Sequence, residues 1–290
     1  CLSACKFCAF FKAPEASGGY VLSLEELGEK IDETKELGGT QVLLQGGLHP
    51  DLPFSFYEEM VSFIKNRGVH VHGFSPPEIH HFSAISSYSV KEVIEKLVAA
   101  GLGSIPGGGA EILNDRVRNL IAPNKCGADE WLNVMEEAHN LGLKTTATMM
   151  FGHVETLEER LEHLSRLRDL QDKTGGFTAF IPWTFQPDNT VLDTVDKTSS
   201  FQYLRMLALS RRYLDNFRSI QASWVTQGPK IAQLSLFYGA NDFGSTMIEE
   251  NVVAAAGVSF RLSEKEIRRL VSDAGFAPNQ RLMDYTLIGS

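Results

Sequence analysis

The chain has 290 residues, 43% of them hydrophobic and 22% charged, with a formal net charge of −9. That balance suits a chain with a full core and excludes a disordered one, and an acidic total with no Lys/Arg-rich run excludes a nucleic-acid partner. No apolar run approaches the roughly 20 residues of a membrane span and no charged-then-apolar leader is present, so a soluble, cytoplasmic protein with a small-molecule substrate and no membrane contact is expected.

The first element is a loop. Cys1, Cys5 and Cys8 crowd into eight residues of a chain with only four cysteines, which reads as reduced metal ligands rather than a disulfide scaffold. Because the chain opens on the first of these without Met, an upstream segment is expected to precede it. From residue 23, amphipathic helices alternate with short apolar runs. Ser23 and Glu26 form a capping box for a helix that reaches Leu37 and stops at Gly38-Gly39, before a strand over 40–45. A helix over 56–67 then leads to a strand over 69–74. Ser89 and Glu92 open a helix that stops at Gly101, before a strand over 102–104. Asp129 caps a helix to Leu141, followed by a strand over 144–151. Thr156 with Glu159 opens a helix to Lys173, ahead of a strand over 177–184. Helices over 201–217 and 230–237 bracket a strand over 219–223, and 239–243 is a last short strand.

One further strand upstream of Cys1 would bring these seven to eight. The expectation is an α/β fold of the (β/α)8 TIM-like barrel type, as one domain over 1–290. Ser263 and Glu266 open a terminal helix ending at Gly275, and the segment from about 260 to 290 is expected to pack on the barrel. In such barrels the chemistry collects on loops at the C-terminal ends of the strands. Gln45-Gly46-Gly47 and residues 72–78, 104–111, 149–155, 182–186 and 241–242 should therefore converge on one mouth. Thiolates suit iron–sulfur clusters and zinc alike. Structural zinc normally closes with four ligands from two separated pairs, and no second pair matches the triplet. Three thiolates spaced CxxxCxxC, with Phe7 before the last, suit a [4Fe–4S] cluster with one open iron.

This spacing resembles the radical S-adenosylmethionine (SAM) superfamily. The resemblance implies a [4Fe–4S] cluster on Cys1, Cys5 and Cys8, with SAM chelated at the open iron and cleaved by one electron to methionine and a 5′-deoxyadenosyl radical. It puts Phe7 beside the adenine and Gln45-Gly46-Gly47 in the glycine-rich motif that binds the methionyl amino group. The strings 5–10, 104–112, 145–155, 175–187 and 239–242 are similar to the group of menaquinone and deazaflavin radical enzymes, over nearly the whole chain. Within it, Pro106-Gly107-Gly108-Gly109 and Trp183 most resemble the branch that cyclises dehypoxanthine futalosine. The aminofutalosine and deazaflavin (FO) branches are alternatives within the group; a cluster electron carrier or a zinc-binding module is the alternative outside it. The resemblance implies abstraction of the ribose C4′ hydrogen, closure onto the benzoate ring, loss of a proton and an electron, and a reductant such as flavodoxin or ferredoxin.

Candidates to take the proton are His153, Glu78 and His72. Their plainer roles would be a loop hydrogen bond, a helix N-terminal carboxylate and an inward polar contact. Ser104 and Glu111 are candidates for SAM oxygens, and Gly108 and Gly109 for backbone donors to the substrate. Trp183 and Phe185 could stack on its ring or merely fill the barrel, and Asn241 and Asp242 could bind its hydroxyls or cap a turn. Cys126 reads as structural.

Overall fold

The structure, a computed structural model, describes residues 1–288, so Gly289 and Ser290 of the expected C-terminal segment lie outside it. Six parallel strands form one sheet in the order β1 to β6: β1 Gln41–Leu44, β2 His70–Gly73, β3 Leu102–Ile105, β4 Lys144–Phe151, β5 Phe177–Thr184 and β6 Ser219–Ile220. Parallel neighbours need crossovers, and helices supply them. Helix α1 (Leu24–Glu36) precedes β1 and α2 (Phe54–Asn66) joins β1 to β2; α3 (Pro76–Ser86) and α4 (Val90–Ala100) lead to β3. Then α5 (Asp115–Ile121) and α6 (Ala128–Asn140) lead to β4, α7 (Leu157–Thr174) to β5, and α8 (Ser200–Tyr213) to β6. Helix α9 (Trp224–Ser235) breaks at Gly228, and α10 (Val252–Ala255) and α11 (Glu264–Asp273) follow. The strand expected over 239–243 is reduced to one parallel bridge, Gln221 with Asp242. The result is an α/β TIM-like fold whose described residues form six strands, that bridge and one antiparallel bridge, Arg281 with Leu287.

Capping boxes form where Ser23, Ser89, Thr156 and Ser263 were expected to make them. Three helix starts differ from expectation, one of them α9, which begins at Trp224 rather than at 230. Helix α6 is capped by Gly127, with Glu130 closing back on its N–H, and Asp129 sits inside the first turn, where a carboxylate suits the helix dipole. Helix α3 replaces an expected loop, because proline lacks only an N–H that the first turn leaves unpaired anyway. Among the described residues, no helix is long and apolar enough to cross a membrane.

Side chains alternate across each strand, and the two faces of the sheet differ. Val71, Ile105, Ala147, Met149 and Phe180 are fully buried in the hydrophobic core. The opposite face carries Leu43, His72 and Ser104 as cross-strand neighbours, then Thr148 beside Ile181 and Met150 beside Trp183. Leu43 is 55% exposed, so this face is open at β1.

His139, near the end of α6, lies 2.7 Å from both Thr174 and Thr145 and so ties α6 to α7 and β4. Burial pushes its imidazole down to about 4. The unfolded chain, with a histidine near ~6.5, takes up this proton first, so stability falls as the pH drops from about 6.5 towards 4. Denaturant midpoints measured across that interval should decline, and His139→Gln should flatten the decline.

Candidate active site

The cysteine loop, residues 1–8, is held by other segments. The Leu2 N–H donates to the Leu48 carbonyl and the Lys6 N–H to the Ile121 carbonyl, each at 2.8 Å, while the Lys6 carbonyl accepts from the Val191 N–H at 2.9 Å. The Asn124 amide donates to the Leu2 carbonyl at 3.1 Å, and the Leu48 N–H reaches the Cys1 sulfur at 3.3 Å. Gly47 leaves room for this docking, since a Cβ there would lie 2.9 Å from the Cys1 Cβ. All four cysteines are free. Burial pushes the Cys5 thiol up to about 11, with the Lys125 charge acting against it, and also raises the Cys8 thiol.

As a donor set, three free thiols on one loop suit a cluster better than a single ion. Among the described residues, no three His, Cys, Asp or Glu side chains are grouped to hold one metal ion. A [4Fe–4S] cluster does not need that convergence, because each thiolate binds a different iron.

The exits of β1, β2 and β3 touch one another. The Gly46 N–H donates to Glu78 Oε1 at 2.9 Å, and a Cβ on Gly108 would lie 2.2 Å from Gln45 Nε2. Glu78 Oε2 also accepts from the Ser75 N–H and hydroxyl, at 2.7 and 2.6 Å. Burial pushes the Glu78 carboxyl up to about 7, while these donors pull it down. In the glycine stretch, Thr146 and Thr148 hold the N–H and carbonyl of Gly107, and the Trp131 indole donates to the Gly108 carbonyl. Arg118 donates to the carbonyls of Gly109 and Ala110. Glu111 is buried at φ 39°, with Oε1 3.0 Å from the Lys125 ammonium, which lies 5.1 Å from the centre of the Phe7 ring.

On the open face, the Ser104 hydroxyl lies 2.7 Å from His72 Nδ1 and 2.8 Å from His70 Nε2. Trp183 is half-buried on the same face. Other expected site residues are engaged elsewhere. Phe185 is 1% exposed and meets the His153 ring edge-on, as core packing. The His153 side chain has no exposed surface, with Nε2 3.0 Å from the Met150 carbonyl and Nδ1 2.9 Å from Glu155 Oε2. Burial would raise the Glu155 carboxyl, but hydrogen bonds from His153 and Gly152 outweigh it and hold it at about 2. The Asn241 amide pairs with the Ile220 N–H, Arg211 and the Arg218 carbonyl. Asp242 accepts from Arg281 at 2.6 Å, the Tyr285 hydroxyl at 2.5 Å and the Gly244 N–H at 2.8 Å. Cys126 is buried beside Arg118. Lys125, Arg281 and Tyr285 went unmarked in the sequence, because isolated residues in short turns carry no spacing signal.

Residues 1–167 match the Radical SAM superfamily and residues 174–289 the CofH/MqnC C-terminal region. The chain belongs to the radical SAM superfamily, whose cofactors are a [4Fe–4S] cluster and SAM. It is 47% identical over 290 residues to the cyclic dehypoxanthine futalosine synthase of Halalkalibacterium halodurans, covering 99% of this chain and 78% of that protein. The synthase of the same name from Streptomyces coelicolor is also 47% identical, over 288 residues, 98% of this chain and 72% of that protein. The aminodeoxyfutalosine synthase of Thermus thermophilus is 43% identical over 289 residues, 97% of this chain and 78% of that protein. Methylornithine synthase shares the fold, with a TM-score of 0.71 at 20% identity over 97% of this chain and 80% of that one.

Gly47→Ala should displace Cys1 and lower the iron bound per chain after anaerobic reconstitution. Gly46→Ala, whose Cβ would meet nothing closer than Glu78 Oε1 at 3.9 Å, should load like the parent. Iron and sulfide assays on the two variants make the comparison.

Proposed function

We propose that this chain converts dehypoxanthine futalosine to cyclic dehypoxanthine futalosine in menaquinone biosynthesis, with a [4Fe–4S] cluster on Cys1, Cys5 and Cys8. The observation that carries this reading is 47% identity, over nearly the whole chain, to two synthases of that name, against 43% to aminodeoxyfutalosine synthase. Bound at the mouth, the cluster and SAM supply one electron and a 5′-deoxyadenosyl radical. The substrate loses two C–H bonds and gains one C–C bond: a hydrogen atom would pass from ribose C4′ to the deoxyadenosyl radical, the ring would close onto the benzoate, and one proton would pass to a base and one electron back to the oxidised cluster.

The chain's own work is to hold the ring, exclude water and accept that proton. In this reading Phe7, Gln45, Gly46, Gly47, Ser104 and Glu111 bind SAM, and Gly108, Gly109 and Trp183 bind the substrate. Of the candidate bases, His72 fits best. With Nδ1–H donated to Ser104 an Nε2 lone pair remains for the proton, while burial, which pushes the imidazole down to about 3, makes it a weak base suited only to a strongly acidic proton. His153 and Glu78 brace the exits of β4 and β1 instead. Seven residue pairs between β4 and β5 join the two matched regions and support a single domain. Flavodoxin or ferredoxin is the proposed electron donor, and the cytoplasm the proposed compartment.

Anaerobic reconstituted protein with SAM and dithionite should cyclise dehypoxanthine futalosine, detected by mass spectrometry. Turnover of only tyrosine or the enolpyruvyl ether of the aminofutalosine branch would overturn the assignment. His72→Gln should keep forming 5′-deoxyadenosine while cyclised product falls roughly 10²-fold or more. An equal fall in both would move the base elsewhere.

A further inference from the structure

Lys125 stands on the segment that grips the cysteine loop, where Ile121 holds Lys6 and Asn124 holds Leu2. Its side chain is 14% exposed, with the ammonium between Glu111 and the face of Phe7. Arg118 approaches the other Glu111 oxygen only to 3.8 Å, and that buried oxygen has no hydrogen-bond partner. The remaining Arg118 contacts are the Cys126 carbonyl and sulfur and the carbonyls of Gly109 and Ala110, none of them a carboxylate. Two buried cations thus share one carboxylate. A surplus buried charge is costly unless something anionic answers it, and Phe7, whose ring the ammonium faces at 5.1 Å, lies between Cys5 and Cys8, so the cation sits against the loop that carries the thiols. Glu111 is also held at φ 39°, a left-handed conformation that a non-glycine residue keeps only where its surroundings enforce it.

We propose that Lys125 is a positioning residue for the cluster: its ammonium supplies counter-charge to the thiolates of the cysteine loop and sets how readily the bound cluster accepts an electron. Cluster potentials follow local charge, hydrogen bonds to sulfur and solvent access. Each added electron makes the cluster and its thiolates more anionic, so a fixed cation in a dry site favours the reduced form, and Glu111 moderates that pull. The inference rests on the cluster site at Cys1, Cys5 and Cys8 and is independent of which substrate is used.

The test is an EPR-monitored redox titration of the reconstituted full chain, without SAM or substrate, alongside iron content. Lys125→Met should hold a cluster at least tenfold harder to reduce, a downward shift of about 59 mV for one electron. Glu111→Gln should shift the potential upward, and Lys125→Arg should stay near the parent. Potentials that do not move, or that move in the same direction in the Lys125→Met and Glu111→Gln variants, overturn the proposal. Should Lys125→Met hold no cluster, the other two decide: an upward shift in Glu111→Gln with Lys125→Arg at the parent value supports the proposal, and any other pair overturns it. A parent protein with no cluster signal overturns the cluster site itself, which is distinct from a loaded parent whose variants do not shift.

Discussion

A loop that forms neither helix nor strand must present three thiols in fixed relation, and only contacts from elsewhere can take away its freedom. Those contacts come from the exit of β1 through Leu48, the end of α5 through Ile121 and Asn124, and the β5–α8 connection through Val191. All three are positioned by one sheet. The geometry of the thiols is therefore a property of strand order, although the cysteines themselves lie outside every strand. Gly47 leaves no room for a side chain in this arrangement, because a Cβ there would lie 2.9 Å from the Cys1 Cβ.

The sheet can perform this task because its two faces are unequal. A parallel sheet covered on both faces reads as continuous Val, Ile and Leu runs. Here β2 reads His-Val-His-Gly and β3 reads Leu-Gly-Ser-Ile, so polar side chains interrupt at alternate positions. Period-two geometry sends Val71 and Ile105 into the core and gathers His72 and Ser104 on the other face. The departure from a fully apolar strand marks the face where polar chemistry belongs.

How far the sequence discloses this depends on the span of each interaction. The capping boxes at Ser23, Ser89, Thr156 and Ser263 are readable because their partners lie three residues apart. The cysteine triplet is readable because three ligands fall in one turn of loop. Helix α3 is only partly so, since a helix N-terminal role can be weighed for Glu78 but Pro76-Pro77 reads as a break until Glu78 is seen to close its first turn. The fate of Asp242 is not readable, since its partners Arg281 and Tyr285 lie 39 and 43 residues further on. Phe185 has the residue type of a stacking platform, yet the core decides its place.

His153, Glu78 and His72 look equivalent as candidate bases when only residue type and strand position are considered, and hydrogen-bond accounting separates them. Both ring nitrogens of His153 are occupied, and Glu78 accepts three donors that join the β1 exit to the start of α3. Each fixes a loop, and each would have to break a structural contact to move a proton. His72 commits only Nδ1 to Ser104, so of the three it is the one proposed to take the proton without breaking a contact that fixes a loop. Rigid exits with one uncommitted lone pair are what a site needs when misplacement by about 1 Å can cost on the order of a hundredfold in rate. In the proposed reaction the braced residues would therefore matter as much as the one left available to take the proton.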